Sequence, residues 1–218
     1  MHIPDGILPP TIAIGGYAIT GGMTWYSLRQ INRCRHPSED IPRAALLTAG
    51  FFVASLIHIP IPPSSIHLIL NGLMGVVLGY FAFPAILIGL FFQAVMFQHG
   101  GVSSLGVNAA MMGIPAVLAY HLFQVHYWLP NPKRWLAPFS FLAGGSALAI
   151  SALVFTVLVV TTIPAEVNEQ LERQAIYIGL VGYGIQSLIE GTFTMLLVSF
   201  FQRVKPELLS NSREPVQK

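Results

Sequence analysis

Charged residues are scarce in this chain. Only 9% of its 218 residues are Asp, Glu, Lys or Arg, whereas 54% are hydrophobic, and the mean hydropathy is +0.65. Soluble domains carry about 25% charged residues, so this composition excludes an ordinary soluble domain. The sequence therefore predicts an integral membrane protein, and its net charge of only +2 gives no reason to expect nucleic acid as a partner.

Several chemical signatures are missing as well. Cys34 is the only cysteine, which excludes an internal disulfide. The sequence has no G-x-x-x-x-G-K-[ST] loop, so ATP hydrolysis by this chain is excluded, and it has no H-E-x-x-H, which argues against a zinc protease. We therefore expect no catalytic residues and no resident cofactor, and any energy taken from ATP would have to come from other subunits.

The hydrophobic residues fall into seven stretches that are long enough, or nearly so, for a helix that crosses the bilayer in about 20 residues. They lie at 8–29, 43–59, 65–81, 84–98, 107–128, 136–161 and 175–203. We predict an all-α bundle of about seven transmembrane helices, which forms a single domain over residues 1–218. The third and fourth stretches are short and only "FAFPA" separates them, so one kinked hairpin is an alternative there.

The basic residues predict how this bundle lies in the membrane. With seven crossings the two chain ends lie on opposite sides, and every basic residue except Arg173 falls on the same side as the C-terminal end. Because cytoplasmic loops carry an excess of Lys and Arg, we expect the N-terminus outside and a cytoplasmic tail at 204–218. The basic residues on that side are Arg29, Arg33, Arg35, Arg43, Lys133, Arg134, Arg203, Lys205, Arg213 and Lys218.

The chain starts with "MHIPDG", which is too short and too polar for a secretion signal, so we expect the mature protein to begin at Met1. Residues 1–7 then form a metal-chelating segment. The Met1 amine, the backbone amide nitrogen of His2 and Nδ1 of the His2 ring would close a five-membered and a six-membered ring around one cation. The "PDG" turn could tuck this segment among the helices. A fourth nitrogen would complete a planar set, which favours Ni(II) or Cu(II) and can hold Co(II).

His67 is the best candidate for that fourth nitrogen. It stands in "PPSSIHLILNG", where Ser64 or Ser65 as N-cap would place it in the first turn of the third span, at the outer surface. The topology puts four histidines at or near the outer ends of spans, which makes a metal site competitive with purely structural roles. These histidines are His2, His58, His67 and His99.

Three further residues are candidates for supporting such a site. His99 lies in the Gly- and Ser-rich "HGGVSSLGVNAAMMG", which we expect to form a lid or wall; it could support the ligands, bind the metal transiently on its way in, or only satisfy loop carbonyls. Asp5 could accept a hydrogen bond from His2 or His67, or only hold its turn. Ser65 is the third candidate for a supporting role.

Two other features are more typical of structure than of metal binding. Glu190 is the only acid within a predicted span, and its depth favours a hydrogen bond that ties helices together, although a carboxylate inside a membrane is by default a functional candidate. Met111 and Met112 lie near glycine at helical spacing, which is more typical of packing than of soft metal ligands.

Three blocks in order, "MHIPDG", "PPSSIHLILNGLMGVVLG" and "FQHGGVSSLGVNAAMMGIPA", resemble the CbiM/NikM family, the substrate-capture subunits of energy-coupling factor (ECF) importers for nickel and cobalt. The resemblance implies an all-helical subunit whose N-terminal segment reaches into the bundle, with the transported metal held by Met1, His2 and His67. "SSIHLILNG" looks more like the nickel branch than the cobalt branch, and cobalt stays open.

The same resemblance implies partners and a location. The partners would be a transmembrane coupling subunit, two cytoplasmic ATPase subunits and, in many systems, a small auxiliary membrane subunit. The location would be the inner or plasma membrane of a bacterial or archaeal cell.

The residues fit two other functions less well. A stand-alone secondary metal transporter would normally show acids or inverted repeats at the midplane, and only Glu190 is present. An intramembrane hydrolase could use Ser103 or Ser104 with His99, but these serines lack a G-x-S-G setting.

Overall fold

The computed structural model describes residues 1–34, 37–61, 64–162 and 169–209, without the side chains of 58–66 and 169–177. The described residues form seven α-helices and one two-stranded antiparallel sheet. The helices are α1 (Pro10–Ile31), α2 (Ile41–Ala54), α3 (Asn71–Leu78), α4 (Ala82–Phe97), α5 (Leu105–Gln124), α6 (Pro132–Thr162) and α7 (Glu169–Val204), and the strands are β1 (His58–Ile61) and β2 (Ser64–His67).

The prediction of an all-α membrane bundle is confirmed. Each of the seven predicted stretches overlaps one α-helix, and the ends of the helices differ from the prediction by several residues. Within the described ranges, four helical stretches are long and apolar enough to cross a membrane by length and composition: Asn71–Phe97, Leu105–Trp128, Pro132–Thr162 and Ile178–Val204. The first of these combines α3 and α4, between which the chain reverses direction. The number of crossings and their direction stay predictions.

The third and fourth stretches form a hairpin that reverses at Gly79. The Asn71 side chain donates to the Met112 carbonyl oxygen, and Gly75 packs against Ala116, so α3 runs in the same direction as α5. Helix α4 returns and is joined to α5 by the short loop 98–104. Gly79 makes the reversal because it adopts φ 58° and ψ −126°, a conformation that other residues rarely take. Since α3 has only 8 residues and rises about 12 Å, it is too short to cross a bilayer alone.

The expected helical turn around His67 is wrong. Residues 64–67 form β2, which pairs with β1 in a register that sets His67 opposite His58. The chain then continues to Leu70, whose φ of 55° is left-handed, and α3 begins only at Asn71. Serine therefore does not cap this helix, because the segment that precedes it is paired as a strand. Proline favours that outcome, since it has no N–H to donate within a helix.

Helix α5 lies at the centre of the bundle and packs against α1, α3, α4 and α6. Two glycines allow neighbouring backbones to come close to it. A Cβ atom at Gly75 would lie 2.0 Å from the Ala116 carbonyl oxygen, and one at Gly16 would lie 2.7 Å from the Val107 nitrogen. No larger side chain fits at either position, which explains why these small residues face α5 rather than lipid.

The loops predicted to be cytoplasmic come together at one end of the bundle. There the Arg43 guanidinium donates to the Leu208 carbonyl oxygen at 2.8 Å, and the Tyr127 hydroxyl donates to that of Leu209 at 3.1 Å. The described part of the predicted tail is thus held against α2 and the end of α5, whereas 210–218 lie outside the described residues. The N-terminal segment lies at the opposite end, beside the loop 98–104.

Candidate metal centre

The N-terminal segment is anchored inside the bundle by Ile3. This side chain is 2% exposed. Its backbone N–H donates to Oδ1 of Asn108 at 3.0 Å, and its carbonyl oxygen accepts from Nδ2 of Asn108 at 3.0 Å and from the Ser104 hydroxyl. Asn108 thus satisfies both backbone polar groups of Ile3, as a neighbouring strand would. The first two residues are thereby held at a fixed place at the end of α5.

Asp5 forms hydrogen bonds with the loop before α5 and not with a histidine. Its carboxylate accepts hydrogen bonds from the backbone N–H groups of Val102 and Ser103 and from the Ser103 hydroxyl. The Ser103 hydroxyl and these backbone groups lower the pKa of Asp5 below its ordinary value. The suggestion that Asp5 supports His2 or His67 is therefore wrong, and its alternative, that Asp5 only holds the turn, is too narrow because Asp5 also fastens a second loop.

Met1 and His67 meet at the centre of the site. The α-amine nitrogen of Met1 lies 3.0 Å from Nε2 of His67. Nδ1 of His67 faces the Leu68 carbonyl oxygen at 3.3 Å. Because a carbonyl oxygen only accepts, Nδ1 carries the proton of the neutral ring and Nε2 keeps its lone pair. The His67 side chain is 5% exposed, so this lone pair points into the protein beside the amine.

His2 completes the group of nitrogens. Its Nε2 lies 3.0 Å from Oε1 of Gln93, whereas its buried Nδ1 has no hydrogen-bond partner among the described residues. The rings of His2 and His67 are 5.1 Å apart between centroids. An orphaned buried nitrogen is costly in a folded protein, and a bound ion is one of the explanations for such a group.

His99 joins the same cluster. Its ring centroid lies 4.2 Å from that of His2 and 5.1 Å from that of His67, and one ring nitrogen from each of the three histidines lies within 4.8 Å of the others. The structure therefore brings together three of the four histidines predicted at this end. The side chains of the fourth, His58, and of the supporting candidate Ser65 lie outside the described residues.

The site favours neutral nitrogens. Burial lowers the pKa of the Met1 amine from its ordinary 8.0 to about 5, although the charge of Glu190 acts in the opposite direction. Burial also lowers the pKa of His2, and the nearby amine, His99 and His67 add to this effect. An uncharged amine and uncharged imidazoles offer lone pairs rather than protons, which is the state that binds a transition metal.

Glu190 fixes the segment that follows His67. Its carboxylate accepts from the backbone N–H groups of Ile69 and Leu70 at 2.5 and 2.9 Å, and Nε2 of Gln186 donates both to Glu190 and to the His67 carbonyl oxygen. The hydrogen bonding predicted for Glu190 is present, but it fastens the non-helical segment before α3 to α7 rather than joining two helices. The carboxylate satisfies backbone groups in the irregular entry to α3, where no serine cap is present.

Three residues of this site were missed by the sequence analysis: Gln93, Asn108 and Gln186. Each is buried, with at most 2% of its surface exposed, and lies within one of the predicted membrane spans. Polar side chains within apolar helices could have revealed them, because such residues need partners inside the bundle. Met111 and Met112 are buried in the hydrophobic core, as their spacing predicts.

The two serines of the hydrolase alternative are used elsewhere. The Ser103 hydroxyl donates to Asp5, and the Ser104 hydroxyl donates to the Ile3 carbonyl oxygen. Both hydrogen bonds hold the N-terminal segment. Neither serine is arranged as a nucleophile activated by His99, because an activated serine must donate to its base.

Known proteins that are similar to this chain are described as metal transport proteins. A metal transport protein from Haemophilus influenzae is 42% identical over 57% of this chain and 58% of its own length. The fused nickel transport protein NikMN of Rhodobacter capsulatus is 31% identical over 99% of this chain and 65% of its own length. The chain thus spans less than two thirds of each of these two relatives.

A solved structure and a family model cover nearly the whole chain. The crystal structure of a transition metal transporter shares the fold, with a TM-score of 0.74 and 23% identity over 94% of this chain and 93% of that one. The family model described as the cobalt uptake substrate-specific transmembrane region matches residues 2–208. The chain is therefore a multi-pass membrane protein and belongs to the CbiM family.

Proposed function

We propose that this chain captures Ni(II), with Co(II) as the alternative cargo, at the outer face of the membrane and delivers it for import as the substrate-binding subunit of an ECF-type importer. Membership of a family described by cobalt uptake supports the class of cargo. The cluster of neutral nitrogens around Met1, His2 and His67 supports the chemistry. Such nitrogens suit Ni(II) and Co(II), whereas Mg²⁺ and Ca²⁺ prefer oxygen ligands.

The ligands in this proposal are the Met1 amine, the His2 amide nitrogen, Nδ1 of His2 and Nε2 of His67. The observation that carries it is the distance of 3.0 Å between the Met1 amine and Nε2 of His67. Metal–nitrogen bonds of about 2.0 Å give neighbouring corners of a square that are about 2.8 Å apart. The two nitrogens thus already have nearly the spacing of adjacent ligands around a planar ion.

The rest of the square follows from the covalent chain. The amine and the amide nitrogen close a five-membered ring, and the amide nitrogen and Nδ1 close a six-membered ring. His67 then occupies the corner opposite the amide nitrogen. The metal must displace the amide proton, which is released to water. The proposal also requires that the mature chain keeps Met1 as its first residue. Mass spectrometry of the purified protein tests that requirement.

Energy would come from partners in this proposal. The chain carries no phosphate-binding loop, so ATP hydrolysis needs separate ATPase subunits, coupled through a transmembrane subunit. The fused nickel transport protein among the relatives is consistent with further components, of which a small auxiliary membrane subunit is one candidate. Vesicles with this chain alone should accumulate little metal. Uptake driven by ATP should require the coupling subunit and the ATPases, and fast uptake without ATP would instead indicate a secondary transporter.

A metal titration tests the site. Purified wild type titrated with Ni(II) should develop the yellow absorption of planar, diamagnetic nickel. His67→Ala should keep three nitrogens and bind more weakly, with the planar band weakened or lost. His121→Ala is the matched control, because that histidine lies beside Tyr80 at the opposite end of the bundle and should leave the spectrum unchanged. A planar spectrum that persists without His67 would refute this ligand set. The same titration with Co(II) compares the two metals.

A further inference from the structure

A line of buried polar groups leads from His2 into the bundle. Nε2 of His2 lies 3.0 Å from Oε1 of Gln93, and Nε2 of Gln93 donates to the Ser55 hydroxyl oxygen at 2.7 Å. The Ser55 hydroxyl in turn donates to the Phe52 carbonyl oxygen at 2.7 Å. Gln93 is 0% exposed and Ser55 is 1% exposed, so water does not compete for these bonds.

The Phe52 carbonyl oxygen, at the end of this line, determines which group donates in each of its hydrogen bonds. A carbonyl oxygen only accepts, so the Ser55 hydroxyl donates its single proton to the Phe52 carbonyl oxygen. Toward Gln93 the hydroxyl can therefore only accept. The NH₂ group of the Gln93 amide therefore points to Ser55 and its oxygen points to His2. Because that oxygen also only accepts, Nε2 of His2 must carry the ring proton.

The consequence falls on the other ring nitrogen. A neutral imidazole has one N–H and one lone pair, so a proton held on Nε2 leaves the lone pair on Nδ1. Nδ1 is buried and has no hydrogen-bond partner within the described ranges. It is also the only ring nitrogen that can close the six-membered ring with the His2 amide nitrogen.

We propose that Gln93, oriented by Ser55, is a positioning residue that holds His2 in the tautomer able to bind the metal through Nδ1. This inference rests on the proposed function, because it assigns a role to the tautomer in that site. Gln93 does not touch the metal itself. It disfavours the alternative tautomer, in which Nδ1 carries the proton. Its hydrogen bond to Nε2 also fixes the plane of the His2 ring, because the Gln93 amide is itself held by Ser55.

The expected size of the effect follows from comparable sites. Residues that hydrogen-bond to a metal-binding histidine typically contribute 10- to 100-fold in metal affinity. Gln93→Leu removes the acceptor while keeping a buried side chain of similar size, so we expect about a 10- to 100-fold loss of Ni(II) affinity. Gln93→Glu keeps an acceptor toward His2 and should recover most of that affinity. Ser55→Ala frees the amide to rotate and should give an intermediate loss.

The decisive readout is the tautomer of His2 in the metal-free protein. Two-bond ¹H–¹⁵N spectra of the ¹⁵N-histidine-labelled full chain distinguish a protonated ring nitrogen from one with a lone pair, and His2→Ala identifies the signals of His2. Wild type and Gln93→Glu should show a proton on Nε2 and a lone pair on Nδ1. Gln93→Leu should show a mixture or the opposite tautomer. An unchanged tautomer in Gln93→Leu would overturn the inference.

The experiment separates this inference from the proposed function. If wild type shows no planar nickel spectrum, the proposed ligand set fails whatever the tautomer is. If wild type binds planar nickel and Gln93→Leu binds it equally tightly, the role of Gln93 fails alone. Should Gln93→Leu not fold, the Ser55→Ala variant provides the test, because the hydroxyl lies one residue further from the metal; there, an unchanged tautomer together with unchanged affinity overturns the inference.

Discussion

The Met1 amine lies 3.0 Å from Nε2 of His67, although 66 residues separate them along the chain. Two independent sets of hydrogen bonds create this proximity. Asn108 holds the backbone of Ile3 on one side, and Gln186 holds the His67 carbonyl oxygen on the other. Helices α5 and α7 therefore support the site from two sides. A substitution that disturbs either set of hydrogen bonds should weaken metal binding.

A free, first-residue amine is essential if the proposed ligand set is right. One extra residue before Met1 would turn its amine into an amide and would place a bulky group where the segment is buried. We expect such an extension to abolish high-affinity Ni(II) binding in calorimetry, while the helical content measured by circular dichroism stays unchanged. A matched extension at the C-terminal end should have no effect. Equal nickel affinity in the extended protein would contradict the assignment of the amine.

The pH dependence of binding should reflect the buried amine. A free α-amine titrates near 7.7–8.0, and on that basis proton competition would weaken binding between pH 8 and 6. Burial instead lowers the pKa of the Met1 amine to about 5, so the amine is already unprotonated across this range. Above the range in which imidazoles ordinarily titrate, near 6.5, only the amide proton then has to leave, and affinity should fall about 10-fold per pH unit between pH 8 and 7. At lower pH further nitrogens of the site take up protons and the fall should steepen.

Two measurements check this slope. Dissociation constants obtained by competition with a chelator across pH 4.5–8 should give one decade per unit above pH 7. A fall of two decades per unit in that range would contradict the lowered pKa. The same shift affects the metal-free protein: because the folded-state pKa of about 5 lies below the ordinary 8.0, docking of the segment is favoured at high pH and is progressively lost as pH falls through this window.

The helices, and two of the residues that meet at the candidate metal centre, could be predicted from the sequence. Runs of apolar residues specify membrane helices because the bilayer demands them, and the positions of His2 and His67 stood out because imidazole is unusual in such surroundings. The strand that carries His67 could not be predicted in the same way. Its formation depends on pairing with residues 58–61, and a four-residue run carries no periodic signal strong enough to distinguish a strand from a helix start.

The contacts that support the site could not be predicted without the tertiary structure. Gln93 and Asn108 read as isolated polar residues in apolar helices, and nothing local indicates that one faces His2 and the other Ile3. The suggestion that Asp5 supports a histidine failed for a related reason. Its position in a tight turn was clear, but its partners lie 97 and 98 residues away, in a loop that only the tertiary structure brings close.

Glu190 should stabilise both the fold and the site. Glu190→Leu would leave the backbone N–H groups of Ile69 and Leu70 without their acceptor, and each buried orphan costs about 1–3 kcal/mol. We expect a lower midpoint of thermal unfolding in detergent and about a 10-fold weaker Ni(II) affinity, since the segment after His67 loses its support. Glu190→Gln keeps one acceptor and should lose less.

A control on the same helix separates these effects from general damage to α7. Thr192 is exposed and its hydroxyl donates only to the Leu188 carbonyl oxygen, so Thr192→Ala should change neither the unfolding midpoint nor the nickel affinity. If Glu190→Leu lowers stability but binds nickel as tightly as wild type, then Glu190 supports the bundle and does not position His67.

Gly101 tests how closely the N-terminal segment must fit the loop before α5. A Cβ atom at this position would lie 2.1 Å from Oδ1 of Asp5 and 2.6 Å from its backbone nitrogen. The carboxylate could rotate away, but the backbone nitrogen cannot move without the segment. We expect Gly101→Ala to displace residues 1–6 and to weaken Ni(II) binding about 10-fold, mainly through faster dissociation, which stopped-flow transfer of nickel to a chelator measures.

Gly15 in α1 provides the matched control, because a Cβ atom there meets nothing within 4 Å. Gly15→Ala should leave nickel dissociation unchanged and should stabilise α1 slightly, since alanine favours a helix by about 1 kcal/mol over glycine. Asp5→Ala removes the hydrogen bonds to Val102 and Ser103 without adding a clash, and it should also speed dissociation. If Gly101→Ala releases nickel at the wild-type rate while Asp5→Ala does not, the segment tolerates displacement and the carboxylate alone fastens it.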